Sequence, residues 1–466
     1  MSSTKKFTHW QRTESQFLAA GADAVYSIVG NLSQTGHWMK QLGFTVHDDQ
    51  RGVGTKVDLL PPGKVFGPLH RATAPSGSIT RRNQAARMVE FTQPQPGGSM
   101  VLRWRVDEHE GGCMLHFTVE LHGPGTTAFK FTVGKDLCED FAVSAARLYR
   151  LIAHTAHIKL NAHVVIAGGR GFLGRNLAAD LVCRGASVAV LSRTREADFP
   201  TEQYIWDGQH QGPWTGAFAS DRPVHLVNLA GERVDKRNTA QNIAELTDSR
   251  VRTTRTLAEA TAKGSKLATW IQSSTTAIFS DAGETELTES SPIPTGEQAL
   301  PEMTGVAAAW EKAFTQAQVN AEHRYILRTS LVMHPDAPLL GPLNLLANTG
   351  LGGKLGHGKQ WFSWIGMDDW LHVIRCLLRL EAPEIPDGIV HATAPNPLRN
   401  EEVMTALRSL AGMPGVPTGS LIPTVGAAVM GTNARVILTG RKATSTVLRD
   451  AGFEFKELDF AATVGR

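Results

Sequence analysis

The residues of this chain best suited to chemistry are glycines. Gly168, Gly169, Gly171 and Gly174 fall within seven positions, just after the apolar run His163-Val-Val-Ile-Ala167 and just before Arg175-Asn-Leu-Ala-Ala-Asp-Leu-Val182, which has helical period. The G-x-x-G-x-x-G spacing supplies residues that accept positive φ, and it brings bare backbone N–H groups to a helix N-terminus. That is the chemistry of holding a pyrophosphate. A second apolar run, 187–191, follows one short helix later and completes a βαβ unit, the context that gives such glycines meaning. Gly168, Gly169, Gly171, Phe172, Leu173 and Gly174 are therefore the expected cofactor loop, with a purely structural glycine turn as the competing account.

The end of the second strand selects the dinucleotide. An NAD site places Asp or Glu there for the ribose 2′-hydroxyl, whereas a 2′-phosphate needs cations. The sequence is Leu191-Ser-Arg-Thr-Arg195, with no acid before Glu196. Guanidinium forks suit phosphate, so NADP is expected in preference to NAD, with Ser192 and Arg193 as first contacts and Arg195 as second. A solvated basic turn is the alternative. A third apolar run, 224–229, ends in Asn228-Leu-Ala-Gly231. Ligands of open α/β sheets lie outside the carboxyl ends of the strands, and Ala230 and Gly231 are small enough to let a ribose and phosphate approach. A plain strand-to-loop exit is the rival reading.

These runs, with others opening at Ala268 and Tyr325, alternate with helical stretches, the pattern of a Rossmann-type doubly wound parallel sheet. At 466 residues the chain exceeds one ordinary core, and two or three domains are expected. Residues 1–158 read differently. Strand-like alternation occurs at 7–17 and 43–60, and runs 101–108 and 113–121 flank Glu110-Gly-Gly112. Helical spacing then runs over 126–158 through Phe129, Phe131, Leu137, Phe141, Ala145, Leu148 and Leu151. This order predicts an α+β helix-grip fold. The expected division is 1–158, then 162–400 for the dinucleotide-binding part, then 401–466 for a small α/β part completing a substrate cleft. Within the last, 401–410, 424–436 and 444–451 read as helices and 452–455 as a strand.

The net charge of +3 and the absence of a basic stripe exclude an obvious nucleic-acid partner. No apolar run nears ~20 residues, so no membrane span is expected. No apolar run follows Lys5-Lys6, so no signal peptide is expected either. Cys113, Cys138, Cys183 and Cys376 form no C-x-x-C pair; they read as buried thiols of a cytoplasmic protein without a metal site.

From 163 onward the chain resembles the extended short-chain dehydrogenase/reductase superfamily, and within it the epimerase-family branch that carries YfcH-like and SulA-like names. The matching motifs are the glycine loop, Asn228-Leu-Ala-Gly-Glu232, Ser249-Arg-Val-Arg-Thr-Thr-Arg255, Gly350-Leu-Gly-Gly-Lys-Leu-Gly-His-Gly358 with Ser363-Trp-Ile365, Ala394-Pro-Asn-Pro397 and Gly452-Phe-Glu-Phe455. The resemblance adds Asp207, near an adenine, and Asn228 and Arg250 to the expected cofactor site. Residues 1–158 resemble the SRPBCC (START-like) ligand-binding superfamily, on element order and on Ala20-Gly-Ala-Asp-Ala-Val-Tyr26; a domain that only packs against its neighbour is the alternative.

Dehydrogenases of this superfamily use Tyr in Y-x-x-x-K as acid/base. None of Tyr26, Tyr149, Tyr204 and Tyr325 has Lys four residues later, and the expected helix carries Val306 and Trp310 at those positions. The upstream hydroxyl motif survives as Ser273-Ser-Thr-Thr276, making Thr275 or Ser274 the candidate catalytic hydroxyl. Glu232, Lys236, Arg250, Glu311 and His357 are the remaining proton carriers near the expected cleft. The five glycines of 350–358 predict either a cover over substrate, walled by Trp361, Phe362 and Trp364, or a set of tight turns. The expectation is an atypical NADP-dependent oxidoreductase or epimerase with a small, nucleotide-sugar-like substrate; a non-catalytic NADP-binding protein with a ligand-binding first domain is the alternative. A homodimer through helix 304–317 is the expected assembly, unless an internal contact covers that helix.

Overall fold

Two kinds of strand patterning divide this chain between two seven-stranded sheets. The computed structural model describes residues 9–46, 52–60, 75–95, 97–126, 134–153, 160–233, 237–262, 264, 266–414 and 438–465. The first sheet comprises β1 (His9–Leu18), β2 (Gly43–Val46), β3 (Lys56–Leu60), β4 (Gly77–Asn83), β5 (Met88–Gln95), β6 (Gly98–His109) and β7 (Gly112–His122). Its order is β1-β7-β6-β5-β4-β3-β2 and every pairing is antiparallel. On β6, Met100, Leu102, Trp104 and Val106 are buried while the residues between them are not, the period-2 signature of a sheet with one covered face. Helix α1 (Ala22–Val29) follows β1, and α2 (Phe141–Ile152) packs on the covered face. The space between sheet and helix is filled by Trp38, Phe91, Trp104, Phe117 and Phe141, with Trp104 stacked on Phe117 at 5.0 Å.

The single helix expected over 126–158 is broken. One turn covers Lys135–Cys138, Asp140 adopts φ +55°, and α2 starts at Phe141. Hydrophobic spacing continued across a break that only the backbone reveals; 127–133 and 154–159 lie outside the described residues.

The second sheet is parallel throughout, in the order β10 (Glu202–Ile205), β9 (Ser187–Ser192), β8 (His163–Ala167), β11 (Val224–Asn228), β12 (Leu267–Thr275), β14 (Ala321–Thr329), β18 (Gly388–Ala392). Every residue of β8 and β11 is buried, because helices cover both faces. Val164, Ile166, Val190 and Val227 pack with α3 (Phe172–Cys183) and, further along, α6 (Met367–Leu377). Val165, Ala167, Leu191 and Leu226 pack with α4 (Ala240–Ala262) and α5 (Val306–Thr315). The helix expected at 304–317 is preceded by a wide turn, Pro301–Gly305.

The first sheet docks on the α3–α6 layer, and its buried residues join those of that layer in one continuous core. The Ala19 N–H donates to the Cys183 carbonyl at 2.7 Å, and the Arg184 guanidinium lies 4.9 Å from the Phe17 ring centre. Three two-stranded pairs organise the remainder: β13 (Glu286–Leu287) with β20 (Lys442–Ala443), β15 (Leu331–Met333) with β17 (Trp364–Gly366), and β16 (Trp361–Phe362) with β19 (Leu398–Arg399). The β16–β19 pair packs on α7 (Asn400–Ala411), and β13–β20 packs with Ile278 and Phe279 instead. The helix expected at 424–436 lies outside the described residues. The strand expected at 452–455 is instead a loop: Gly452 turns with φ +77°, and Phe453 buries its ring against His372 and Phe455. All four cysteines are buried and unpaired.

Candidate functional site

The strand order reverses between β8 and β11, so a crevice opens at their carboxyl ends. Gly168 leaves β8 at φ +78°, and a Cβ there would lie 2.9 Å from the Leu229 carbonyl. A Cβ on Gly169 would sit 2.5 Å from Val190 Cγ1; on Gly174 it would sit 2.5 Å from the Gly168 oxygen. Close packing within the protein therefore demands these three glycines. Gly171 differs, since its Cβ would meet only the Gly168 oxygen, at 3.4 Å. Beside it α3 begins at Phe172 and Leu173 with no side-chain cap and no acid in its first turn. A glycine that nothing in the protein requires, next to free N–H groups at the positive end of a helix, is a cradle fitted to an anion. The Phe172 ring faces His334, with centroids 6.1 Å apart, and lines a cavity of about 940 Å³ between β1 and the starts of α3 and α6.

Around Thr194 the expected cations assemble. Ser192 Oγ donates to the Thr194 carbonyl at 2.7 Å. Arg193 is exposed and its Nη1 approaches Glu232 Oε2 at 3.4 Å, while Arg195 is exposed. Arg170, which the sequence reading passed over, donates to the Thr194 carbonyl at 2.9 Å and also to its hydroxyl. The available signal was its place between two loop glycines. Glu196, the first acid after the strand, accepts from Arg170 and Arg175, each at 3.3 Å.

Two expected ligand contacts prove to be committed elsewhere. Asp207 closes its own turn: Oδ1 accepts from the Gln209 and His210 N–H groups and Oδ2 meets His210 Nδ1. The His210 backbone and ring and the Gln209 N–H hold its carboxyl well below the usual carboxylate range. Asn228 is fully buried; its Oδ1 accepts from the Ala230 N–H, and its Nδ2 donates to Gln272 Oε1 at 3.0 Å and Thr254 Oγ1 at 3.3 Å. It shapes the Ala230-Gly231 turn from inside, because the pleat turns its side chain to the face that α4 covers. A Cβ on Gly231 would lie 3.1 Å from Arg250 Cγ and Cζ, so the Arg250 side chain forms the floor of that turn.

The two candidate hydroxyls separate. Ser274 is buried and donates to Glu311 Oε1 at 2.6 Å; Glu311 in turn takes Arg328 Nε at 2.8 Å and Nη2 at 2.9 Å. Its hydroxyl is thus spent in an internal ion-pair network. Thr275, at the carboxyl end of β12, accepts from the Ala277 N–H at 3.1 Å, which leaves its own proton available to an acceptor. No phenol stands beside it among the described residues: Tyr26 donates to Met88, Tyr325 to Ile385, Tyr204 to Glu202, and Tyr149 lies within α2. Trp310 is buried and donates to Thr254 Oγ1 at 3.2 Å. Of the other proton carriers, Glu232 is half-buried, Glu311 is internal, and exposed His357 accepts from the Lys359 N–H through Nδ1. Lys236 lies outside the described residues.

The glycines of 350–358 serve packing. A Cβ on Gly352 would lie 2.6 Å from Ala347 Cα, and Gly358, at φ +75°, faces Lys354 at 2.8 Å. Leu355 is buried and its N–H donates to Asn400 Oδ1 at 2.9 Å. The segment is a set of tight turns packed against α7, the second of the two expected readings. Trp364 is core and Phe362 packs on Phe460, while Trp361 carries the Arg399 guanidinium 3.6 Å from its centre.

Fold and crevice together define a Rossmann-type protein of the short-chain dehydrogenase and epimerase class. Residues 164–298 match the NAD dependent epimerase/dehydratase family. The epimerase family protein Mb2239 of Mycobacterium bovis is 30% identical over 311 residues, 66% of this chain and 97% of the relative. The chloroplastic SDR39U1 homolog of Arabidopsis thaliana is 30% identical over 313 residues, 63% and 83% respectively. This chain belongs to that epimerase family. The human epimerase family protein SDR39U1 with NADPH shares its fold at a TM-score of 0.55 and 24% identity, over 65% of this chain and 98% of that one. A nucleoside-diphosphate sugar epimerase from Corynebacterium glutamicum matches at 0.56 and 21% identity over 97% of this chain and 90% of that one, so the likeness extends through the first sheet.

Proposed function

We propose that this protein is an NADP-dependent oxidoreductase or epimerase that lacks the Tyr-x-x-x-Lys pair and acts on a small organic molecule of nucleotide-sugar type. The observation that carries the reading is the Gly171 cradle: an open flank beside an uncapped helix at the reversal point of the sheet. The preference for NADP rests on Arg193 and Arg195, with Ser192 and Arg170, around Thr194, and it agrees with the NADPH named for the human relative. When bound, the nicotinamide would supply hydride chemistry. Thr275 would direct its hydroxyl proton to a substrate carbonyl or alcohol oxygen, and Ser274 would act through Glu311 to fix β12. The 162–400 part would hold the cofactor and 401–466 would close the substrate side, in a cytoplasmic protein.

We read residues 1–158 as a START-like fold, supported by the antiparallel sheet closed by a C-terminal helix. Its aromatic-filled core favours a packing role over an apolar-ligand cavity. A second reading, a non-catalytic NADP-binding protein, is favoured by the absence of a phenol near Thr275 among the described residues. The test is fluorescence titration with NADPH and NADH. Arg193→Ala should weaken NADPH selectively, at about 1.4 kcal/mol per tenfold. Failure of the wild-type protein to bind either dinucleotide refutes the proposal. Oxidation of bound NADPH by a candidate substrate separates the first reading from the second.

A further inference from the structure

Among the described residues, most buried guanidiniums of this protein are answered by carboxylates; Arg441, which turns to Thr439 and Met303, and Arg250 at the crevice are not. Arg12 meets Asp336, Arg328 meets Glu311, and Arg375 meets Asp180. Arg250, on α4, is only 8% exposed. Among the described residues its guanidinium makes one hydrogen bond, from Nη1 to the Leu246 carbonyl of its own helix, at 3.1 Å. Glu232 is the carboxylate that acts on it, yet no ion pair joins them, and Glu232 Oε2 approaches Arg193 instead. A cation taken out of water without a carboxylate in direct contact is costly to the fold, and burial, only partly offset by the charge of Glu232, pulls this one down to about 10.

The surroundings fix where that charge is presented. The Trp310 ring centre lies 5.1 Å from Arg250 Cζ. Gly231 covers the guanidinium so closely that a Cβ would stand 3.1 Å from Cζ and 3.3 Å from Nη1. Gly231 belongs to the turn against which the glycine loop packs, for a Cβ on Gly168 would lie 3.0 Å from the Ala230 nitrogen. The guanidinium therefore lies beside the Trp310 indole and next to Gly231, with no side chain of residue 231 between it and the crevice.

We propose that Arg250 is the oxyanion-binding cation of the crevice, holding a phosphoryl or carboxylate group of the bound ligand, with Trp310 as its positioning residue. The proposal rests on the dinucleotide reading above. It gives Trp310 a role at the helix position where Lys was expected: α4 delivers the positive charge and the indole of α5 orients it. Gly231 is then required because any side chain would displace the guanidinium or cap it.

The test uses the full chain with three probes, NADPH and ADP-ribose by titration and inorganic phosphate by calorimetry on the NADPH complex. Arg250→Met, which keeps the stem over Trp310, should weaken NADPH at least tenfold, and Arg250→Lys should recover part of the loss. Gly231→Ala should act in the same direction with the charge still present. If ADP-ribose weakens in step, the oxyanion is the dinucleotide's pyrophosphate; if ADP-ribose is unchanged and phosphate binding is lost, it belongs to a second ligand. A folded Arg250→Met protein that binds all three probes as wild type overturns the inference. Should Arg250→Met fail to fold, unchanged binding in both Arg250→Lys and Gly231→Ala overturns it equally. Wild-type protein that binds neither dinucleotide probe defeats the dinucleotide reading instead, and phosphate titration of the free protein and its Arg250→Met variant then decides the role of Arg250.

Discussion

Replacing Arg12 by Met should loosen the seam between the two sheets more than any exposed ion pair could. Arg12 stands on β1 with a side chain only 5% exposed. It places Nη1 2.9 Å and Nη2 2.7 Å from the two oxygens of Asp336, and Nε 2.6 Å from Glu14. Methionine matches the stem but leaves the Glu14 and Asp336 carboxylates facing each other, with His334 3.7 Å and 3.9 Å away as their remaining cationic neighbour among the described residues. Removing one member of a buried pair costs about 3–5 kcal/mol, and the lower end applies here because His334 and the adjoining cavity relieve part of the stranded charge. Lys40 also bridges the two parts, through Asp198, but those side chains are 42% and 73% exposed, and such pairs contribute about 0.2–1 kcal/mol. Urea unfolding followed by tryptophan fluorescence and far-UV dichroism should therefore rank Arg12→Met several kcal/mol below Lys40→Met. Arg12→Met combined with Asp336→Asn should recover part of the loss, since the second change removes the stranded charge. If Arg12→Met costs no more than Lys40→Met, the seam is hydrated and the reasoning fails.

The same cluster should make stability depend on pH. Burial alone would lower the His334 pKa, but the hydrogen bond and charge of Glu14 and the charge of Asp336 outweigh it and leave the imidazole above its ordinary 6.5. Burial would raise Glu14, yet Arg12 and His334 hold it below 4.5. The His334 contribution is complete below 6.5 and fades as pH rises through its raised value, whereas that of Glu14 is present above 4.5 and fades as pH falls through its lowered one. Stability should peak between those limits, and His334→Gln should flatten the alkaline limb of the unfolding profile. Glu311→Gln should lower thermal stability far more than Ser274→Ala, about 3 kcal/mol against about 1, because only the former leaves Arg328 without a counter-charge; equal losses would contradict the network. Gly174→Ala should cost about 1–3 kcal/mol by overpacking. Gly171→Ala should leave the melting temperature nearly unchanged and still weaken NADPH, a contrast that calorimetry and titration together would check.

The parts of the site that rest on local pattern were legible in the sequence. The β8–loop–α3 unit announces itself because two periods and a glycine spacing converge within twenty residues or so. What lay hidden depended on contacts distant in sequence. Asn228 looks like a ligand contact until Thr254 and Gln272 are seen to take its amide. Ser274 and Thr275 are equivalent hydroxyls on paper; the pleat turns one towards Glu311 and leaves the other at the strand end. Arg170 escaped notice because loop arginines are common and its partner Thr194 lies in the β9–β10 connection. The helix break at Asp140 is a backbone event that hydrophobic spacing does not register.

The continuous core shared by the first sheet and the α3–α6 layer also bears on how the chain is made. The flank of β1 that meets α3, around Phe17 and Ala19, has no cover until α3, and later α6, have left the ribosome. At about 5–20 residues per second, the roughly 200 residues separating α2 from the end of α6 take on the order of ten seconds or more to synthesise. For that interval the nascent first sheet presents an apolar flank, so molecular chaperones have a defined window on this protein during translation and little to grip once it closes.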